Sequence, residues 1–333
     1  MRLRPGLRVL RRGAGEVQVG TDERWAVRLE GVTEHEAAAA LAMGAGADSD
    51  QLAAGTGARL DELTELLRDA GLVAPERRDA AVVGPAAADA LVCGLLRPDG
   101  DGPRTVLERR HAVVGVIGLG PIGLTVAVTL AAAGVGTVLV DDATPVRSVD
   151  VGACGYRWSD VGTVRERAAV RVLRDVAPDL RTESAADPDV LVVVEHGAAD
   201  PARTELLLGS HTVHLPVLVR EADAVVGPLV VPGAGPCLRC LDLHRADADP
   251  LWPALVAQLV GTSPGPEVGA MAAVCAGLAA AVVLRAVDEP PLRTRVRAGT
   301  TVEVRLPDVL PRTRTWEVHP DCGCTSHGMA AVG

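Results

Sequence analysis

The sequence predicts an α/β protein in which a domain with a mainly parallel sheet follows a small α+β unit. Three observations predict it. Residues 113–117 and 138–140 are unbroken apolar runs, the pattern of strands covered on both faces rather than on one. A Gly-rich turn at 118–123 and an apolar helix over 122–133 separate these two strands, as a parallel crossover requires. The first 76 residues carry a different pattern, short alternating strands followed by helices.

In chain order, residues 7–10, 16–19 and 25–29 are predicted strands with Gly-containing turns between them. A helix starts at Thr33, where Thr-Glu-His-Glu is a capping box: the Thr33 hydroxyl and the Glu36 carboxylate each satisfy a backbone donor at the other residue. A second helix is expected near 50–54. A third carries Leu60, Leu63, Leu66 and Leu67 on one face and stops at Gly71. Three strands and three helices make residues 1–76 a winged-helix-like unit. Residues 77–110 contain Arg-Pro-Asp-Gly-Asp-Gly-Pro and no sustained periodicity, which reads as a linker with one helix over 86–95.

Residues 111–325 form the α/β domain. Its further strands are expected at 190–194 and 217–219, with helices beginning near Thr163 and Ala202. A strand at 225–231, a long helix over 267–287 and strands at 293–297 and 302–306 complete it, and residues 326–333 are a tail. The apolar stretch 268–284 is at the short limit for a bilayer span and rich in Ala, which predicts a buried or dimer-interface helix and no membrane.

Composition removes several kinds of chemistry. Lys, Asn and Phe are absent, so a Walker A phosphate loop, a Schiff-base lysine and any mechanism using an asparagine amide are excluded. The net charge of −10 over 333 residues argues against a nucleic-acid partner, whose phosphates need Arg and Lys. The winged-helix-like unit is itself acidic, with 9 Arg against 13 Asp and Glu, a net of −4. The basic N-terminus lacks the apolar run and cleavage site of a secretory signal, which points to the cytoplasm.

Two groups of residues carry chemistry. Gly118, Gly120 and Gly123 lie between strand and helix, where they allow the tight turn, the approach of a phosphate and close helix packing. Asp141 and Asp142 end the next strand, where an acid accepts hydrogen bonds from a ribose. This fingerprint fits a dinucleotide oxidoreductase as well as an adenylate-binding enzyme. The pairs Cys237/Cys240 and Cys322/Cys324 can complete a tetrahedral zinc site, with His319 or His327 as a substitute ligand and a disulfide as the alternative. Cys93 and Cys275 read as core residues, and Cys154 as a packed or exposed thiol with reactivity as its alternative.

Together Val-Ile-Gly-Leu-Gly-Pro-Ile-Gly, Leu-Val-Asp-Asp, Ser-Asp-Val-Gly before Arg165, Gly-Pro-Cys-Leu-Arg-Cys and His-Pro-Asp-Cys-Gly-Cys resemble the ThiF and MoeB family of ubiquitin-activating-type adenylyltransferases. The resemblance implies a Rossmann-like domain over roughly 110–325. It further implies ATP with magnesium at Gly118, Gly120, Gly123, Asp141, Asp142 and Arg165, Arg165 being the one catalytic candidate, and zinc on the four cysteines. The adenylation machinery carries over poorly. Val149 and Gly152 stand where the family has an Asn-x-x-Arg pair, and Glu195-His196 where it has a magnesium-holding Asp-Asn pair. The family's invading arginine has no counterpart unless Arg109 or Arg110 serves.

The N-terminal unit resembles the PqqD-like recognition element of enzymes that modify ribosomally made peptides. That resemblance implies a leader peptide adding a strand at Trp25, Val27 and Leu29 beside the helix face of Leu60, Leu63 and Leu67. The combination implies an adaptor, a homodimer, that presents a precursor peptide to a YcaO-type cyclodehydratase. The alternative is an active adenylyltransferase acting on a peptide or a ubiquitin-like protein.

Overall fold

The computed structural model describes residues 2–47, 58–74, 81–289 and 299–325, with side chains from Glu62 onward in the second of these segments. The helix expected near 50–54 and the strand at 293–297 lie outside them. The chain divides into two units, residues 1–108 and 109–333.

In the first unit β1 (Val9–Gly13), β2 (Glu16–Val19) and β3 (Val27–Glu30) form an antiparallel meander in that order. The register pairs Val17 with Leu29 and Val19 with Val27, so Val17, Val19 and Leu29 all turn inward. The first strand starts two residues later than its apolar run suggests, because Leu7 packs as a core residue ahead of the hairpin. Trp25 is not in a strand: it lies in a turn, its N–H donating to Asp22 O and its ring under the Arg24 guanidinium at 4.5 Å.

Helix α1 (Glu34–Gly44) has the capping box in both directions, Glu36 N to Thr33 Oγ1 at 3.3 Å and Thr33 N to Glu36 Oε2 at 2.8 Å. It lays Ala37, Ala40 and Met43 on the sheet. Helix α2 (Ala58–Asp69) drives Leu63 and Leu67 into the same core, at 2% and 0% exposure, and leaves Leu66 at the surface. The stretch 77–110 holds two helices rather than one, α3 (Ala87–Leu96) and α4 (Gly102–Glu108). The second is only seven residues long and begins at Gly-Pro, too short to show a period. Arg4 caps the end of α3, donating to Gly94 O, Arg97 O and Pro98 O at 2.6–3.1 Å, where the helix leaves carbonyls without partners.

The second unit alternates strand and helix: β4 (Val113–Ile117), α5 (Pro121–Ala132), β5 (Thr137–Asp141), α6 (Arg165–Val176), β6 (Val190–His196), α7 (Pro201–Gly209) and β7 (His214–Val219). Then come β8 (Asp223–Val226), α8 (Leu238–Ala248), α9 (Trp252–Leu259), α10 (Gly269–Asp288), β9 (Thr300–Arg305) and β10 (Pro311–Thr315). The sheet order is β10-β9-β8-β7-β6-β4-β5, parallel from β5 to β7 and antiparallel beyond. The run 225–231 is a strand only as far as Val226, because Gly227 takes a positive φ and Pro228 offers no amide to a ladder. Helix α10 meets the length and apolarity of a bilayer span, yet Met271, Cys275, Ala279 and Val283 are buried in the α/β core beside α5. Arg109 ties the start of this unit to two helix ends, with a fork on Asp288 at 2.7 and 2.8 Å and a bond to Ala133 O at 2.9 Å. At 3% exposure it is engaged inside its own unit.

Candidate functional site

Strand β4 pairs with β5 on one side and β6 on the other, so the turn at its end sits at the point where the strand order reverses, the usual ligand crevice of such sheets. Gly118 holds φ +82°, a conformation L side chains rarely adopt, and a Cβ there would stand 2.5 Å from Val194 O. A Cβ on Gly123 would collide with Gly118 O, so this glycine lets α5 start directly over the turn. Tyr156 braces the turn, donating from its hydroxyl to Leu119 O at 2.8 Å.

The acids beside the turn have partners already. Asp142 accepts from Leu119 N at 2.8 Å, from Thr144 N at 3.0 Å and Thr144 Oγ1 at 2.5 Å, and from Arg165 at 3.1 Å. Arg165, 4% exposed, forms a second ion pair with Asp150 at 2.5 Å. Asp141 is exposed, and its carbonyl accepts from Gly118 N. Burial alone would raise the carboxyls of Asp142 and Asp150. The Thr144 and Leu119 donors hold Asp142 below the ordinary carboxylate range, and Arg147 and Arg165 do the same for Asp150.

A carboxyl depressed in the folded state adds stability that is present above its unfolded value, about 3.9, and lost as pH falls through the folded one. Urea melts are therefore expected to give constant stability from neutral pH down to about 5 and a steep loss below about 4, a loss that Arg165→Met flattens. An equally steep loss in the variant would show that other carboxylates cause it.

At the end of β6, Glu195 is bound to Arg203 at 2.6 Å, and burial pushes its carboxyl up against that pull. Its neighbour His196 places Nε2 3.2 Å from Glu267 Oε1. Val149 is exposed and Gly152 has open space around it, so neither supplies a side-chain polar contact. Glu267 is the participant that local sequence reasoning missed. Its other oxygen, Oε2, accepts from Ile122 N at 2.6 Å.

The four cysteines meet at the start of α8 and in the turn after β10. Cys237 and Cys240 are 3.9 Å apart at sulfur, and Cys237–Cys322 and Cys240–Cys324 are each 3.5 Å. All seven cysteines are free. A tetrahedron with zinc–sulfur bonds of about 2.3 Å has edges of about 3.8 Å, so the donor set fits a divalent ion. Burial pushes the Cys237 and Cys324 thiols up, so four thiolates need a cation at their centre. His319 is not a substitute ligand: Asp321 N donates to its Nδ1 at 3.1 Å, which puts the ring proton on Nε2, facing Asp247 at 2.9 Å. His327 lies outside the described residues.

Of the residues expected to bind a peptide, Val27 is half-buried and Leu29 buried on β3, the last strand of its sheet among the described residues. Leu63 and Leu67 belong to the core rather than to a groove, because α2 turns that face onto the sheet; the side chain of Leu60 is not among those described. Cys275 is buried on α10 and Cys93 half-buried. Cys154 is also buried and burial raises its thiol, which leaves it a packed residue.

No family model and no curated protein matches the chain. Solved structures do. E. coli MccB with succinimide is 17% identical over 98% of each chain, with a TM-score of 0.71. The Microcin C7 biosynthetic enzyme MccB in complex with N-formylated MccA is 16% identical over 97% of this chain and 99% of that one, again at 0.71. PaaA is 15% identical over 93% and 98%, at 0.69. At such identities the likeness is one of fold: nearly the whole chain shares the α/β architecture of MccB and PaaA, the fold that the ThiF resemblance implies.

Proposed function

We propose that the chain is a leader-peptide-binding protein of ThiF-like fold that serves the biosynthesis of a modified ribosomal peptide without adenylating it. In this reading residues 1–76 are the PqqD-like, winged-helix recognition module, zinc holds the C-terminal segment, and the precursor is handed to a YcaO-type enzyme. The observation that carries it is the pairing of Arg165 with Asp142 and Asp150. The arginine and the acid that the resemblance places at the ATP site satisfy each other, so little is left to stabilise charge developing on a transferring nucleotide. MccB itself has been solved with ATP and with MccA, which supports a peptide as the ligand of this chain and keeps adenylyl transfer as the second reading.

The peptide arm rests on β3. An edge strand presents backbone donors and acceptors to an added strand. Fluorescence polarisation with precursor peptides encoded beside this gene is expected to show binding to the full chain. Leu66→Arg is expected to weaken it at least about tenfold, about 1.4 kcal/mol, with an unchanged melting temperature, because Leu66 is an exposed leucine of α2. Leu63→Arg would bury a charge in the core and cannot serve as this test. ATP–pyrophosphate exchange with the same peptides is expected to stay at background. Robust exchange that Asp142→Ala abolishes would establish the adenylyltransferase instead.

A further inference from the structure

The Gly-rich turn already has an anion. Helix α5 begins with Gly120 as N-cap, which has no side chain to offer, and Pro121, which has no N–H, so Ile122 N is the first free donor of the helix. Its acceptor is the Glu267 carboxylate, 145 positions away in sequence and 2.6 Å away in space. The Glu267 side chain is 1% exposed, and its Oε1 makes no hydrogen bond. That oxygen faces His196 Nε2 at 3.2 Å without hydrogen-bond alignment, and His196 Nε2 has no other partner. The carboxylate lies directly on Gly120, where a Cβ would collide with it. That is the approach a turn glycine gives to a phosphate oxygen, at the end of the helix where the peptide dipoles favour negative charge.

The segment that delivers Glu267 is held from outside. Arg147 donates to Pro264 O at 3.0 Å while pairing with Asp150, so the network around Arg165 and the segment before α10 share one arginine.

We propose that Glu267 is the resident anion of the Gly-rich site, standing where a nucleotide phosphate would bind and closing the site to nucleotide polyphosphates. This deepens the non-adenylating reading above and rests on the Gly-rich turn being the nucleotide crevice. A second anion brought to the same donors meets a buried carboxylate that cannot retreat into water without moving the start of α10. Neutralising Glu267 removes that repulsion, and a glutamine keeps an oxygen for Ile122 N.

Isothermal titration of the full-length chain with ATP and Mg2+ tests the proposal. The parent is expected to show no binding at millimolar ATP, and Glu267→Gln and Glu267→Ala to gain affinity at least tenfold over that limit. Micromolar ATP binding by the parent overturns the proposal, and so do folded variants that bind no better than the parent. If alanine unfolds the chain, glutamine decides. If both variants unfold, the parent's melting temperature decides: unmoved by millimolar Mg-ATP it upholds the closed site, and raised by it, it rejects it. Peptide binding measured on the same samples keeps the two readings apart. Its absence removes the proposed function and says nothing about Glu267.

Discussion

Metal analysis of the chain purified without added metal is expected to return about one zinc per molecule, and Cys240→Ser or prolonged chelation to remove it. The reason is the geometry at sulfur: three pairs lie within 3.5–3.9 Å and all four thiols within 4.8 Å of one another. Structural zinc is worth about 10–16 kcal/mol in peptides that fold around it. Here Trp316, buried and bonded to Thr301 at 3.0 Å, also holds the C-terminal segment. Loss of metal is therefore expected to free the turn at 322–324 and the start of α8 first, with a fall in melting temperature on the order of 10 °C. Hydrogen exchange confined to those segments would locate the effect. A folded, metal-free chain whose melting temperature ignores chelator would remove the site.

Arg165→Met is expected to be the most destabilising single change in the crevice. It leaves Asp142, 8% exposed at its side chain, without its arginine and Asp150, 1% exposed, with Arg147 as its remaining cation. Breaking a buried pair by removing one partner costs about 3–5 kcal/mol. For a domain of roughly 150–250 residues each kcal/mol moves the melting temperature by about 2–4 °C. A fall on the order of 10 °C is thus expected at pH 7, shrinking as the pH falls and the carboxyls protonate. An unchanged melting temperature would mean that Arg165 is not committed to these acids and is free for a phosphate, which would favour adenylyl transfer.

The alternation of strand and helix across 113–219 was legible because each element repeats its own period over its own length: unbroken Val runs for doubly covered strands, a Gly-rich turn for the crossover. The capping box at Thr33 is visible for the same reason, since both partners lie within one turn. Helices α8 and α9 and strand β10 were not legible. The first two are short and share no clean apolar face, and Pro-Arg-Thr-Arg-Thr in β10 is exposed along its whole length. Leu63 and Leu67 show how far a helical stripe reaches: it says that a face is apolar, and only packing says whether sheet or ligand covers it.

By itself, then, the sequence determined the class of the elements that repeat a clear period, the place of the Gly-rich turn between strand and helix, and a supply of paired cysteines. Those properties depend on residues within about one helical turn of each other. The tertiary structure alone decided what each charge in the crevice meets. Asp142 and Arg165 are 23 positions apart, Cys237 and Cys322 85, and Ile122 and Glu267 145. Glu267 has no local signature, being one acid in Gly-Pro-Glu-Val-Gly ahead of an apolar helix. It becomes the partner of the Gly-rich turn only because α10 packs beside α5 and sets the residues just ahead of it against the open amide of Ile122. A buried amide and a buried carboxylate each need a partner, and that demand is met by whatever the fold brings within 3 Å, however distant in sequence.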